Sequence, residues 1–364
     1  MRLEHFETLK PVCPRCRAGQ SHPAPLALTS LARRNGRVVF EGTLTCTNPH
    51  CGITYPIIDG IPILVADLPK YLNDALYAIT VRDDLCALSE AILGEAAGPG
   101  AVFNNNRHYL GTYGWDHYGD LAPARRDAAT PHHWQPGSVV SCLATGLGLF
   151  SHGIEAPVLD VGCAAGRSAL ELAARCQGLV LGIDLNFLIL RLAQRVLHEG
   201  RVAYPLKQLG IVYERQEYAV EFAHTERVDF WACDALALPF RPGAFGFVNA
   251  LNVLDQVSAP LQLLSSMSES LRGKGKALLA TPYDWAAPIP MKNWLGGRSP
   301  LGTHNADSPA ALRAVLGTES FSPALQPLRL VGEVEHHPWH VRVHNRRTAA
   351  YDTHILACEK AVGA

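Results

Sequence analysis

The sequence predicts a doubly wound α/β domain preceded by a small cysteine-rich unit, and three observations carry that prediction. From Ala156 onward apolar strand-like runs alternate with helical patterns, the rhythm of a parallel sheet covered by helices on both faces. Within that stretch Val158 to Val161 stops at Gly162, Cys163-Ala164-Ala165-Gly166 follows, and a helical pattern over 169–175 begins at once. Glycines at 162 and 166 remove Cβ where a ligand must approach backbone, and the first N–H groups of a helix favour an anionic group. A second buried strand, Leu179 to Asp184, then ends in a carboxylate 22 residues after Gly162, placed to accept both hydroxyls of a ribose.

At 364 residues the chain has room for one large domain plus accessories. A net charge of −1 leaves no global field to draw it to nucleic acid or to a membrane surface. The opening Met1-Arg-Leu-Glu-His5 has no apolar leader core, and no apolar run approaches a membrane span. Ten cysteines without a secretion signal point to reduced thiols or metal ligands, hence to a cytoplasmic protein.

Residues 1–66 read as a separate unit. Cys13-Pro-Arg-Cys16 and Cys46-Thr-Asn-Pro-His-Cys51 are two close pairs separated by 29 residues, each in a turn-rich context that sets two thiolates on one metal. Two such knuckles complete a tetrahedral site for a structural zinc, with His50 as an alternative to Cys51. Arg37 to Thr45 alternates as a strand leading into the second knuckle, as in zinc ribbons. With the following Tyr55-Pro-Ile-Ile-Asp-Gly-Ile-Pro-Ile-Leu64, the cysteines resemble the small Trm112-like zinc domains that accompany methyltransferases as partner subunits or fused segments.

Residues 67–140 form a connector that is expected to help cover the cofactor and substrate. Tyr71 to Glu95 has helical periodicity, broken from Gly94 to Gly100. The polar, aromatic stretch from Asn104 to Gly119 makes a poor core; it either stacks on a ligand or runs as a solvated connector. A linker over 131–137 and a helix over 138–150 lead into the main domain, 141–364. Strands are expected at 157–161, 179–184, 227–233, 245–251, 275–281, 328–334 and 352–359, and helices near 165–176, 186–198, 258–272 and 308–316. Two insertions, 200–227 and 283–306, are candidates for substrate walls or a lid.

The glycine loop lacks the Gly-x-Gly-x-x-Gly pattern of a pyrophosphate cradle. A third acid follows the third strand in Ala232-Cys-Asp-Ala235, and Phe245-Gly-Phe-Val-Asn-Ala-Leu-Asn252 supplies a fourth strand with polar tips. Together, Asp160-x-Gly162-x-x-x-Gly166, Asp184, Asp234 and the fourth-strand motif resemble class I S-adenosylmethionine-dependent methyltransferases, over about 200 residues. The resemblance implies a seven-stranded Rossmann-like sheet. It also implies cofactor contacts from Tyr118, Asp160, Gly162, Cys163, Ala164, Gly166, Asp184, Leu185, Asp234, Ala235 and Asn249. Gly162 to Gly166 would wrap the methionine part, Asp184 the ribose, and Asp234 with the Ala235 N–H the adenine. Asp160 alternatively fixes the loop, and Asp234 alternatively caps a turn.

A narrower likeness lies in His117-Tyr-Gly119, Gly162-Cys-Ala-Ala-Gly-Arg-Ser168, Asn249-Ala-Leu-Asn-Val-Leu-Asp255, Thr281-Pro-Tyr-Asp-Trp285, Trp294-Leu-Gly-Gly297 and Arg342. This ordered set resembles the mercaptohistidine N-methyltransferase domain of ovothiol biosynthesis. Val253, Leu254, Thr281, the longer 200–227 insertion and the fused ribbon depart from it. Asp255 also falls where carnosine N-methyltransferases carry an aspartate after the fourth strand. The resemblance implies a small histidine-derived imidazole as acceptor. Asp255 would fix its tautomer, Asn252 and Tyr283 would orient the ring, and Arg342 with His340 or Arg347 would hold a substrate carboxylate. His117-Tyr118 would lie over the cofactor. Asp255 as a helix N-cap, Arg342 as a surface ion pair and His117-Tyr118 as structural residues are the alternatives. The competing function is a zinc-ribbon RNA or protein methyltransferase, but the ribbon's basic residues (Arg15, Arg17, Arg33, Arg34, Arg37) are few for a phosphate-binding face.

Overall fold

The computed structural model describes residues 1–17, 23–123, 135–286, 289–298, 306–317 and 328–361. The N-terminal segment holds α1 (Leu3–Leu9), α2 (Pro14–Arg17), β1 (Leu26–Asn35), β2 (Val38–Cys46), β3 (Thr54–Ile58) and β4 (Ile61–Leu64). Helices α3 (Leu68–Thr80), α4 (Ala87–Ala97), α5 (Val102–Tyr118) and α6 (Ser138–Leu147) follow. The remainder runs β5 (Val158–Val161), α7 (Arg167–Ala173), β6 (Val180–Asp184), α8 (Phe187–Glu199), β7 (Arg201–Lys207), β8 (Tyr213–Ala219), β9 (Val228–Cys233), β10 (Phe245–Leu251), α9 (Pro260–Ser270), β11 (Leu271–Thr281), α10 (Ser308–Gly317), β12 (Leu328–His344) and β13 (Arg347–Lys360).

The seven expected strands are present and contiguous, in the order β9-β6-β5-β10-β11-β13-β12. The first five are mutually parallel, and β13 runs antiparallel between β11 and β12. All four β5 residues are buried, as a strand covered by helices on both faces must be. Each of Val158, Leu159 and Val161 then contributes about 1.5–3 kcal/mol of apolar burial. The chain leaves β5 toward β6 and β9, then returns to β10 on the other side. The crevice at the carboxyl ends of β5 and β10 is therefore the topological switch point.

The sheet differs from the expected seven strands in its length. Among the described residues it has eleven strands, because β1 to β4 continue it beyond β9. The cause is β4: Ile61-Pro-Ile-Leu64 is buried at every position and lies parallel along β9, with Ile63 opposite Ala232 and Leu64 opposite Cys233. A short apolar strand of this kind covers the edge that β9 would otherwise expose.

Between the ribbon and β5 the expected single helical run is two helices, α3 and α4. The Asn104–Gly119 stretch, expected to make a poor core, instead forms most of α5 and buries Asn104, Arg107, Trp115, Asp116, His117 and Tyr118. The 200–227 insertion is a β7–β8 hairpin on which α5 packs. A Cβ on Gly114 would stand 2.4 Å from the Tyr204 ring, so only glycine permits that approach. Of the expected linker, 131–134 lies outside the described residues, as do 287–288 and 299–305 of the second insertion. Among the described residues no helix is long and apolar enough to cross a membrane.

Candidate active site and metal centre

The four cysteines expected as ligands meet in one cage, with all sulfurs within 4.8 Å of one another. Cys13 Sγ lies 3.9 Å from Cys51 Sγ, and Cys16 Sγ lies 3.7 Å from Cys46 Sγ. A tetrahedral zinc with Zn–S bonds of about 2.3 Å needs sulfurs about 3.8 Å apart, so the cage fits that ion. Donors surround it as a thiolate site requires: the Cys16 N–H reaches Cys13 Sγ at 3.5 Å and Asn48 Nδ2 reaches Cys16 Sγ at 3.7 Å. His50 is exposed and lies outside the cage, which removes it as the alternative to Cys51.

At the switch point a cleft of about 530 Å³ opens. Its cofactor-side wall is the loop after β5. Gly162 (φ +66°), Ala164 (φ +44°) and Gly166 (φ +86°) all take left-handed backbone, and a Cβ on Gly162 would meet Val253 Cγ2 at 2.4 Å. Asp160 is the anchor of this loop: Asn249 Nδ2 donates to Oδ1 at 2.6 Å and Ser168 Oγ to Oδ2 at 2.5 Å. Burial pushes its carboxyl up to about 6 against those two donors. Asp184 closes the wall, accepting from the Ala164 N–H at 3.1 Å and the Asn186 N–H at 2.8 Å, and burial raises its carboxyl too. Leu185, Asp234 and Ala235 line the same side. Asp234 Oδ1 also accepts from the Leu236 N–H at 2.9 Å, so it caps a turn and faces the cleft at once.

Four expected cofactor contacts stand one layer back. Tyr118 is fully buried and its hydroxyl donates to the Ala165 carbonyl at 2.5 Å, which buttresses the loop from behind. Cys163 and Asn249 are likewise buried and do not line the cleft, and Gly166 turns the chain into α7 beneath it. It is His117, next to Tyr118, that faces the cleft. Its Nδ1 accepts the Arg167 N–H at 3.2 Å, which leaves the ring proton on Nε2. Burial, with the Arg167 charge, lowers the ring to about 3 and keeps it neutral. Asp120 holds Arg167 in a bidentate pair at 2.9 and 3.1 Å.

The opposite wall comes from β12, β13 and the segments after β10 and β11, and α5 bridges the two walls, with His117 against the cofactor-side loop and Asp116 against Trp339 of β12. Asp255 and Asn252 are both there, as expected. Asn252 holds a left-handed backbone (φ +54°), and its Oδ1 has no hydrogen-bond partner. Asp255 is fully buried; the Asp284 N–H donates to Oδ2 at 2.8 Å while Oδ1 has no partner. Burial pushes its carboxyl up to about 6. It is not a helix cap, since α9 is preceded by Ala259 with no side-chain cap bond.

The other substrate-side expectations are displaced. Tyr283 turns away from the cleft and pairs its hydroxyl with His354 Nδ1 at 2.7 Å; His354 Nε2 in turn sits 3.0 Å from Glu333. Along β12 it is Trp339 and Val341 that line the cleft, so the two-residue strand period sends His340 and Arg342 to the other face. The His340 N–H donates to Ser138 Oγ at 2.9 Å, Arg342 is buried outside the cleft, and Arg347 is exposed at the start of β13. The residue that sequence reading missed is Asp116, 5% exposed, whose Oδ2 accepts from Trp339 Nε1 at 3.2 Å. A signal existed: Tyr109, Thr112, Tyr113 and Asp116 recur at helical spacing, and all four line the cleft. Six acids line it (Asp116, Asp160, Asp184, Asp234, Asp255, Asp284), and no lysine or arginine does so among the described residues.

Residues 159–279 match the family described as a methyltransferase domain. No curated protein sequence matches the chain. Among solved structures it is similar to phosphoethanolamine N-methyltransferase 2 of Haemonchus contortus bound to S-adenosyl-L-methionine (20% identity, 48% of this chain and 35% of that chain, TM-score 0.31). It is also similar to the YcgJ protein of Bacillus subtilis (16% identity, 62% and 99%, TM-score 0.39). A third similar chain comes from the complex between the Haloferax volcanii Trm112 methyltransferase activator and a methyltransferase (15% identity, 62% and 89%, TM-score 0.38). The chain spans about a third or less of the Haemonchus contortus enzymes it matches.

Proposed function

We propose that this chain, which carries a class I S-adenosylmethionine-dependent methyltransferase domain, methylates a ring nitrogen of a small histidine-derived imidazole. One observation carries the acceptor: a buried carboxylate, Asp255, has one oxygen clamped by backbone and the other left without a donor at the cleft wall, beside the equally unpartnered Asn252 Oδ1. An imidazole N–H is the donor this arrangement lacks.

The cofactor side fits the residues present: the loop over 162–166 and the N-terminus of α7 would take the methionine portion, Asp184 the ribose, and Asp234 with Ala235 the adenine. Bound there, S-adenosylmethionine supplies a methyl group on a sulfonium, which a nitrogen lone pair displaces in line, leaving a neutral thioether. The chain's task is to position, desolvate and orient. Asp255 accepts the N–H of one ring nitrogen and so presents the other's lone pair. As the ring becomes an imidazolium its charge grows against the Asp255 carboxylate, which stabilises it and can take the proton on to water. The carboxyl at about 6 and a free imidazole at about 6.5 are close enough for that transfer to be nearly balanced. The cysteine cage would hold a structural zinc, since four thiolates leave no open position.

The alternative, an RNA or protein acceptor recognised through the ribbon, draws no support from charge. Arg17, Arg33 and Arg37 are each paired with an acid, Glu269, Glu41 and Glu7 respectively. The deciding experiment is a mass-spectrometric methylation screen over histidine, thiohistidines, histidine dipeptides and RNA. A methylated imidazole supports the reading, whereas methylation of RNA alone overturns it.

A further inference from the structure

We propose that Asp116 is the binding group for a protonated amine on the acceptor, so that the molecule methylated carries a cationic nitrogen beside its imidazole. The inference deepens the imidazole reading and rests on it. Asp116 is buried on α5 and lines the cleft; Trp339 fixes its Oδ2, and its Oδ1 has no partner. A buried carboxylate oxygen without a donor is costly, and a ligand N–H removes that cost. The fields that reach this carboxyl come from Asp120, which is acidic, and its charge is felt in turn by Tyr113 and Cys142. None of these supplies a positive charge, and His117 beside it stays neutral. Asp116 can therefore ionise in this site only if a positive partner arrives with the ligand.

The same acidity decides which end of a histidine-like molecule is recognised. With no lysine or arginine among the described cleft residues, an α-carboxylate finds no cation, whereas an ammonium finds Asp116. Burial pushes the Asp116 carboxyl up to about 8, so the empty cleft holds it protonated at neutral pH. An arriving ammonium stabilises the carboxylate, and the carboxyl proton leaves to solvent.

Calorimetry on the full chain saturated with S-adenosylhomocysteine tests this with three probes at neutral pH: histamine, 4-methylimidazole and imidazoleacetate. Histamine should bind about ten- to a hundred-fold more tightly than 4-methylimidazole, the range of a charge-assisted hydrogen bond, and imidazoleacetate should bind weakest. Titrations in buffers of different ionisation heat, corrected for the proton each free ring carries at that pH, should show an additional proton released with histamine and none with 4-methylimidazole. Asp116→Asn should bring the histamine preference close to unity and remove the proton release, with its unfolding midpoint checked in parallel. Equal binding of histamine and 4-methylimidazole by the unsubstituted protein overturns the role of Asp116 while leaving the imidazole reading intact. So does a preference that survives in a folded Asp116→Asn protein. Failure of all three probes to bind overturns the imidazole reading and this inference together. Because the probe ranking alone is decisive, a variant that fails to fold leaves the inference falsifiable.

Discussion

The two walls of the cleft are built differently. The cofactor wall is local in sequence: β5, its loop and the N-terminus of α7 are consecutive, and Asp184 and Asp234 stand at the ends of the two neighbouring strands. The wall proposed for the acceptor is assembled from four places, the turn after β10, the segment after β11, β12 and β13, and α5 spans both walls. Contacts on the first wall follow from strand ends and a glycine loop. Those on the second depend on which face of a helix or strand turns inward, and a shift of one residue reverses that choice.

Variants that separate the walls sharpen this comparison. The largest effect is expected for Asp255→Ala, which should lower kcat on an imidazole acceptor about 10²–10⁴-fold. Its S-adenosylmethionine affinity, read by calorimetry, should stay within about three-fold because the lost group lies on the other wall. Equal turnover would remove Asp255 from the chemistry. Asp184→Ala should weaken S-adenosylmethionine binding about 100-fold or more while leaving the fold, since in the proposed binding mode two charge-assisted bonds to a ribose would go with it. Unchanged affinity would sink the cofactor assignment.

Acidity gives the third test. Asp255 offsets the growing imidazolium charge only when ionised, and burial raises its carboxyl from 3.8 to about 6. With acceptor saturating, kcat should therefore be full above that value and fall as pH drops through it. A profile flat down to pH 5 would contradict this role. For the cysteine cage, Cys13→Ser should lose zinc by metal analysis and unfold several degrees earlier, because ligand binding free energy is folding free energy. A variant that still holds one zinc would remove the ribbon assignment. The smallest effect is expected for Arg342→Ala, whose side chain leaves β12 on the face away from the cleft. The acceptor KM should change less than about three-fold, and a larger rise would restore a carboxylate-holding role for this strand.

Asp116 and Tyr118 show how far sequence reading reaches. The stretch over 104–119 is too polar and aromatic for an ordinary buried helix, so its composition points to a ligand. Its fold is a helix nonetheless, because Gly114 admits Tyr204 and because Asp116 and His117 find partners in Trp339 and the Arg167 N–H. Those partners are distant in the chain. His117 and Tyr118 are both expected over the cofactor, yet the 100° step between helix neighbours sends His117 into the cleft and Tyr118 behind the loop.

What the sequence determined by itself was everything set by short range. The strand ending at Gly162, the acids at 184 and 234, the seven strand positions from 157 to 359 and the four-cysteine cage all follow from apolar runs, turn residues and ligand spacing. Tertiary structure alone decided the joining of the ribbon to β9 through β4, the inward turn of Trp339 and Val341 rather than His340 and Arg342, and the exposure of Asp116 to the cleft. Each of these depends on which of two faces is buried, and burial is settled by what packs from elsewhere in the chain.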